Sequence, residues 1–213
     1  MKKILFVILS TSLMPSVFSQ SDFENRKKEG YYNITQVSLL MGNRKLSEPS
    51  NYYNNTRNNI LVSPSVTMTN GYMFNEHWAA GIGVGFELFD HNHFPVFADI
   101  RYVLWDNTVS PFFAIKMGHA IGNFNKKHYD ELYLNYSPFN VYDVYFRNYG
   151  GLMLHPEMGV KIPLSKNADW LFTVAYRYQK SKTTVSQNFG QRYEWKHKVG
   201  MNRLVFGMAV VFR

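Results

Sequence analysis

The stretch RLVFGMAVVFR, residues 203–213, alternates without a break. In an extended chain successive side chains point to opposite faces. Leu204, Phe206, Met208, Val210 and Phe212 therefore share one face, and smaller or polar residues share the other. Chain ends commonly fray into solvent, but this pattern reads as a strand held inside a sheet. The question it poses is what the strand pairs with.

Working outward, the same period recurs along the chain. Alternating segments punctuated by turn signals fall at about 31–42, 60–73, 78–89, 94–105, 111–122, 149–164, 170–181 and 199–212. No helical period competes over a comparable length. Composition agrees: 17% of residues are aromatic, which favours strands, and only 18% are charged. The connections sort by position. FNEH (74–77), DNTVS (106–110) and SKNAD (165–169) are short, polar and turn-prone, whereas about 43–59, 123–148 and 182–198 are long, with DHNH (90–93) the brief exception. Short turns on one rim and longer loops on the other are the layout of a membrane barrel.

The two faces of the segments decide which side looks outward. In the fifth, Phe113, Ile115 and Met117 oppose Ala114, Lys116, Gly118 and Ala120. In the seventh, Trp170, Phe172, Val174, Tyr176 and Tyr178 oppose Leu171, Thr173, Ala175, Arg177 and Gln179. In the third, Ile82, Val84, Phe86 and Leu88 oppose Gly81, Gly83, Gly85 and Glu87. A water-facing sheet would carry long Lys, Glu and Gln on its polar face. Small residues with a few charges suit the inside of a closed barrel of about eight strands, where only side chains fit. The bulky parity then faces lipid. In hydrocarbon each unpaired backbone group costs several kcal/mol, so strands cross only as a closed cylinder. The last strand must pair with the first, which answers the opening question. Trp78, Trp170, Tyr72 and Tyr178 near segment ends fit interfacial aromatic girdles. The expected fold is all-β: an eight-stranded antiparallel up-and-down transmembrane β-barrel over residues 31–213.

Residues 1–19 read as a signal peptide, with Lys2 and Lys3, the apolar run ILFVILSTSLM, and Val17-Phe18-Ser19 at a cleavage site. The run is shorter than the roughly 18 residues of a membrane helix. Residues 20–30 are then a short periplasmic segment. Removing the two lysines from 23 basic residues leaves 21 against 15 acidic ones, a formal charge of +6. With no Cys, disulfides, thiolate metal sites and cysteine nucleophiles are excluded.

The leader, the eight segments, the sorted loops and the penultimate Phe212 resemble the small outer-membrane barrels of the OmpA/OmpX type, particularly the Tyr- and Asn-rich versions of Bacteroidetes-like bacteria. FPVFADIRYVLW (94–105) and HPEMGVKIPL (155–164) carry the resemblance most closely. It implies a location in the outer membrane of a diderm bacterium, contact with outer-membrane lipids and lipopolysaccharide, and a monomer. It also implies that the strand bearing Leu204, Phe206, Met208, Val210 and Phe212 is read by the barrel-assembly machinery. Arg213 departs from the commonest ending in proteobacteria. Anchoring through a peptidoglycan-binding domain after residue 213 is not expected.

Function must then reside in the lumen or the loops. Parity places Glu87, Asp99, Arg101, Lys116, Glu157, Lys161, Arg177 and Arg203 inward, away from lipid, where a midplane charge costs about 2–4 kcal/mol. A mixed hydrogen-bonded network is tolerable in such an interior. One reading is a plug of salt bridges; the alternative is a narrow, gated, anion-preferring pore. A lipid-active enzyme is a further alternative, but His119 is followed by Ala120-Ile121-Gly122 and departs from a deacylase-like His-x-Ser arrangement. His91 and His93 would need a third ligand to hold a metal, and His155 beside Pro156 suggests a bulge. No cofactor, metal site or catalytic residue is expected. In the 123–148 loop, Tyr129, Tyr133, Tyr136, Tyr142 and Tyr145 suit surface recognition, or else form a packed hairpin extension. Loop 182–198, with Lys182, Arg192, Lys196 and Lys198 against Glu194, suits lipopolysaccharide phosphates, or else is simply a solvated basic loop. The pI near 9.5 does not signal nucleic acid, because the basic residues are scattered. A secreted lipocalin-style barrel would invert the faces, gathering the bulky parity around a ligand.

Overall fold

A computed structural model describes residues 27–46, 61–88, 92–105, 109–122, 126–128, 144–188 and 192–213. Every regular element among them is a strand: β1 (Gly30–Leu46), β2 (Leu61–Met73), β3 (Trp78–Leu88), β4 (Asn92–Val103), β5 (Ser110–Gly122), β6 (Lys126–His128), β7 (Val144–Ser165), β8 (Ala168–Asn188) and β9 (Arg192–Phe212). Each strand pairs antiparallel with its neighbours, β5 pairs with β7, and β1 pairs with β9. The result is a closed eight-stranded barrel, with the three-residue β6 added against the upper end of β7.

The seam that closes the ring runs from Asn33 opposite Phe212 to Leu46 opposite Val199. Along β9, Leu204, Phe206, Met208 and Phe212 are exposed and Val210 is half-buried on the outer wall. Arg203, Val205, Ala209 and Val211 are buried inside. From Asn33 to Gly42 of β1 both strands of the seam thus have a neighbour on each side, which leaves no open edge there to recruit another chain.

The outer wall is a continuous band of large apolar side chains. Val37, Val66, Ile82, Val84, Val96, Ile100, Ile115, Met117, Leu154, Met158, Phe172 and Val174 all stand exposed. A contiguous apolar surface of this extent marks an interaction with a membrane or a partner. The bulky parity does not gather inside around a ligand, so the lipocalin-style arrangement is overturned. Aromatics mark the short-turn rim: Tyr31 meets Tyr72 edge-on at 5.7 Å, Tyr72 meets Phe74 at 5.9 Å, and Trp78 meets Tyr102 at 4.8 Å. Towards the opposite rim Phe86 packs on Phe94 at 5.2 Å.

Glycine stripes make room for the few rings inside. Phe97 lies over Gly83, and a Cβ on Gly159 would come within 2.9 Å of the Phe112 ring. An eight-stranded lumen has no space for a ring facing another full side chain. At Gly150 the backbone takes a φ of +72°, where the β7–β8 register shifts between Asn148 and Gly150. The register shifts at this bulge and again between Pro163 and Ser165, but not at Pro156, where the β5–β7 pairing passes through unshifted.

Two expectations about connections are revised. Residues 182–198 are not a loop: Lys182 pairs with Lys198 and the ladder continues to Asn188 opposite Arg192. The strands read as ending at 181 and starting at 199 are the lower parts of a long hairpin. Outside the barrel both faces of a ribbon can meet water, so its apolar alternation fades while its pairing persists. DHNH also shrinks, since β4 begins at Asn92. Within 123–148, β6 pairs with Val144–Phe146, as a hairpin extension requires. Tyr145 belongs to β7, opposite Lys127 and Ser186. Tyr129, Tyr133, Tyr136 and Tyr142 lie outside the described residues, as do residues 1–26, which include the signal-peptide reading.

Candidate functional site: the charged lumen

Period-two geometry sends one residue in two inward on every strand, and the inward charges come from six of the eight barrel strands. Glu87 is on β3, Asp99 and Arg101 on β4, Lys116 on β5, Glu157 and Lys161 on β7, Arg177 on β8 and Arg203 on β9; all eight are buried. Seven of them fall in two clusters at different heights, and Lys161 lies nearer the short-turn end.

Glu157 organises the lower cluster. Its Oε2 accepts a hydrogen bond from Lys116 Nζ at 2.8 Å and another from Gln36 Nε2 at 3.1 Å, while His155 Nε2 stands 3.5 Å away. Its Oε1 lies 3.4 Å from Arg101 Nη2, which also donates to Asp99 Oδ2 at 3.1 Å. Gln36 completes the circuit by accepting from Lys116 at 2.6 Å and donating to Thr173 Oγ1 at 3.1 Å. The Arg101 guanidinium rests on the Phe112 ring, 4.8 Å from its centroid. Two carboxylates thus face two basic side chains, one arginine and one lysine.

In the upper cluster Glu87 holds two arginines. Arg177 Nη1 donates to its Oε1, and Arg203 Nη1 lies 3.6 Å from its Oε2. Arg203 also donates to Gln179 Oε1 at 3.2 Å, and Arg177 reaches the sulfur of Met153 at 3.0 Å. Between the clusters is a cavity of about 20 Å³, bounded among others by Gln36, Phe97, Lys116, His155 and Arg177. A space of that size holds about one water.

Residues that parity did not single out also matter. His155 is buried against Glu157; the adjacent Pro156 drew attention to backbone irregularity and away from the inward position of the histidine. Asp169, in what reads as a polar turn, is buried in β8 and bonds to Arg213 at 2.7 Å. Arg213 also donates its backbone N–H to Asn167 O at 2.9 Å, closing the short-turn end. Lys161 is buried near that end, opposite Ser110 and Leu171. His93 is buried in β4, opposite Glu87, whereas His91 lies outside the described residues. His119 is exposed on the outer wall. Among the described residues no three His, Asp or Glu side chains are grouped to hold a metal ion.

No protein-family model and no curated protein matches the chain. Solved structures do. The outer membrane protein OprG from Pseudomonas aeruginosa matches at a TM-score of 0.52 and 15% identity, covering 88% of this chain and 98% of that one. Neisserial surface protein A, NspA, matches at 0.50 and 11% identity, covering 87% and 99%. At these identities the likeness is one of fold: a closed antiparallel β-barrel of the kind found in bacterial outer-membrane proteins.

Proposed function

We propose that this chain is a non-enzymatic outer-membrane protein whose lumen is sealed by its charge network, and which serves the envelope structurally or through its surface ribbons. The observation that carries the reading is the separation of surfaces: a band of exposed aliphatic and aromatic residues surrounds a column holding buried carboxylates, lysines and arginines. A charge on the outer wall at midplane would cost about 2–4 kcal/mol, whereas inside it finds partners. Closure of the ring satisfies the backbone, as hydrocarbon demands. The fold shared with OprG and NspA supports the same setting. In this reading the short-turn rim faces the periplasm, the exported chain is delivered by the barrel-assembly machinery, and lipopolysaccharide surrounds the outer rim.

The plug is favoured over a pore by the small cavity and by the cross-barrel contacts. Glu157 on β7 is tied at once to β1, β4 and β5, and Glu87 on β3 reaches Arg177 on β8. Such contacts would have to break for an ion to pass. The test is planar-bilayer recording on purified, refolded protein whose folding is verified by faster migration on an unboiled than on a boiled detergent gel. A sealed lumen gives no steady conductance. A reproducible anion-selective current, altered by Lys116→Ala and Arg177→Ala, would replace the plug with the pore.

A further inference from the structure

The outer wall changes character abruptly on β8 and β9. Along β8 the exposed positions run Phe172, Val174, Tyr176, Tyr178, Lys180 and Lys182. Along β9, exposed Phe206 and Leu204 give way, past half-buried Asn202 and Gly200, to exposed Lys198 and Lys196. Register gathers these lysines. Lys182 stands directly opposite Lys198, and Lys180 opposite Gly200; on its other side Gly200 faces Lys45 of β1. Like charges directly opposite in an antiparallel pair destabilise it. Here Lys180 lies beside the Lys182–Lys198 position, where the apolar band ends.

Two details shape what fits there. The Lys180 ammonium lies 5.8 Å from the centroid of the Tyr178 ring, so the last aromatic of the wall and the first cation form one unit. Gly200, opposite Lys180 in register, has open space at its face: a Cβ built there would meet no atom within 4 Å. The surface at the centre of the lysines is therefore low and uncrowded. A ligand for this patch must carry negative charge at one end and hydrocarbon directly below it. A free inorganic anion would use only the lysines, and a nucleic acid would find no polar surface beneath them.

We propose that this face of β8–β9 binds the phosphate groups of the phosphorylated glycolipid of the outer leaflet, with the acyl chains lying along Tyr178, Tyr176, Val174 and Leu204. The inference rests on the outer-membrane reading and gives it a defined lipid contact. Ammonium–phosphate pairs are charge-assisted and short, and the boundary of the hydrocarbon, with its low dielectric, strengthens them.

The test uses the full refolded barrel in neutral detergent, titrated with bisphosphorylated lipid A, with the same lipid stripped of phosphate, and with inorganic phosphate alone, bound species being counted by native mass spectrometry. Bisphosphorylated lipid A should bind at least about tenfold more tightly than the stripped lipid, because several lysines meet its phosphates at once. The variant K180Q/K182Q/K196Q/K198Q should abolish that preference, while Lys28→Gln at the opposite rim leaves it intact. Inorganic phosphate should not compete at millimolar concentration. Equal binding of the two lipids by a folded barrel, or an unchanged preference in the quadruple variant, overturns the inference and leaves the outer-membrane reading standing. Full competition by inorganic phosphate overturns the lipid as the source of the anion. A chain that forms no heat-modifiable barrel in lipid overturns both readings.

Discussion

Replacing Glu157 by Gln tests the organisation of the lower cluster. The side chain is fully buried and shares its two oxygens among Lys116, Gln36, Arg101 and His155. Glutamine keeps the shape and one acceptor but removes the charge. Lys116 then loses a 2.8 Å ionic partner and retains only the neutral Gln36 oxygen, while Arg101 is left with Asp99 alone. Breaking a buried pair by removing one member costs about 3–5 kcal/mol, because the remaining charge stays desolvated. With a urea dependence of about 2–3 kcal/mol per molar, the unfolding midpoint should fall by about 1–2.5 M. The assay is equilibrium unfolding in phospholipid vesicles, followed by tryptophan emission and by the gel shift of the folded band. Lys116→Met on its own removes the partner cation, and in combination with Glu157→Gln should recover part of the loss, because the two residues are coupled. A midpoint for Glu157→Gln within about 0.2 M of the parent, or strict additivity in the double variant, would refute the claim that this carboxylate holds the cluster together.

Other outcomes follow from the same structure. Gly83→Ala, which drives a methyl into the Phe97 ring and to within 2.8 Å of Thr69 Oγ1, should destabilise by about 1–3 kcal/mol; Phe97→Leu in the same chain should relieve most of it, as read from unfolding midpoints. Met117→Lys on the outer wall should cost about 2–4 kcal/mol in vesicles and far less in detergent; equal losses in both would argue against a lipid-facing wall. Arg213→Ala removes one ionic partner of the fully buried Asp169 and should lower stability by about 1.5–3 kcal/mol, with Asp169→Asn in combination restoring a measurable part.

How far the sequence reaches depends on which physical signal each feature leaves. Alternation along 203–213 is enough to specify a strand, a face and, through the closure requirement, a partner; β1 is that partner over 14 register pairs from Asn33 to Leu46. Parity also distinguishes inward Lys116 from outward Met117. It carries no information on height, so the meeting of Glu87 with Arg177, 90 residues apart, is visible only in three dimensions. His155 escapes notice because Pro156 reads as a break, although on an outward position its missing N–H leaves the β5–β7 register unshifted. Asp169 escapes because an acid near Asn and Lys in a short connection looks solvated, whereas the returning Arg213 meets it in the buried end of the barrel. The upper hairpin of β8 and β9 reads as a loop for a different reason: hydrophobic alternation records a difference between two environments, and that difference is lost once both faces can meet water.

The seam joining Asn33 to Phe212 has a consequence for how the molecule comes into being. Nearly the whole polypeptide must be present before the edge of its opening strand can be covered. No fragment emerging earlier can form a sealed ring, and every partial sheet displays two unpaired rows of amides beside a greasy flank. Such long-range pairing is slow and prone to aggregation while it waits. Completion is thus an event of the final strand's arrival, and keeping the chain soluble until then is a task for something other than the chain itself.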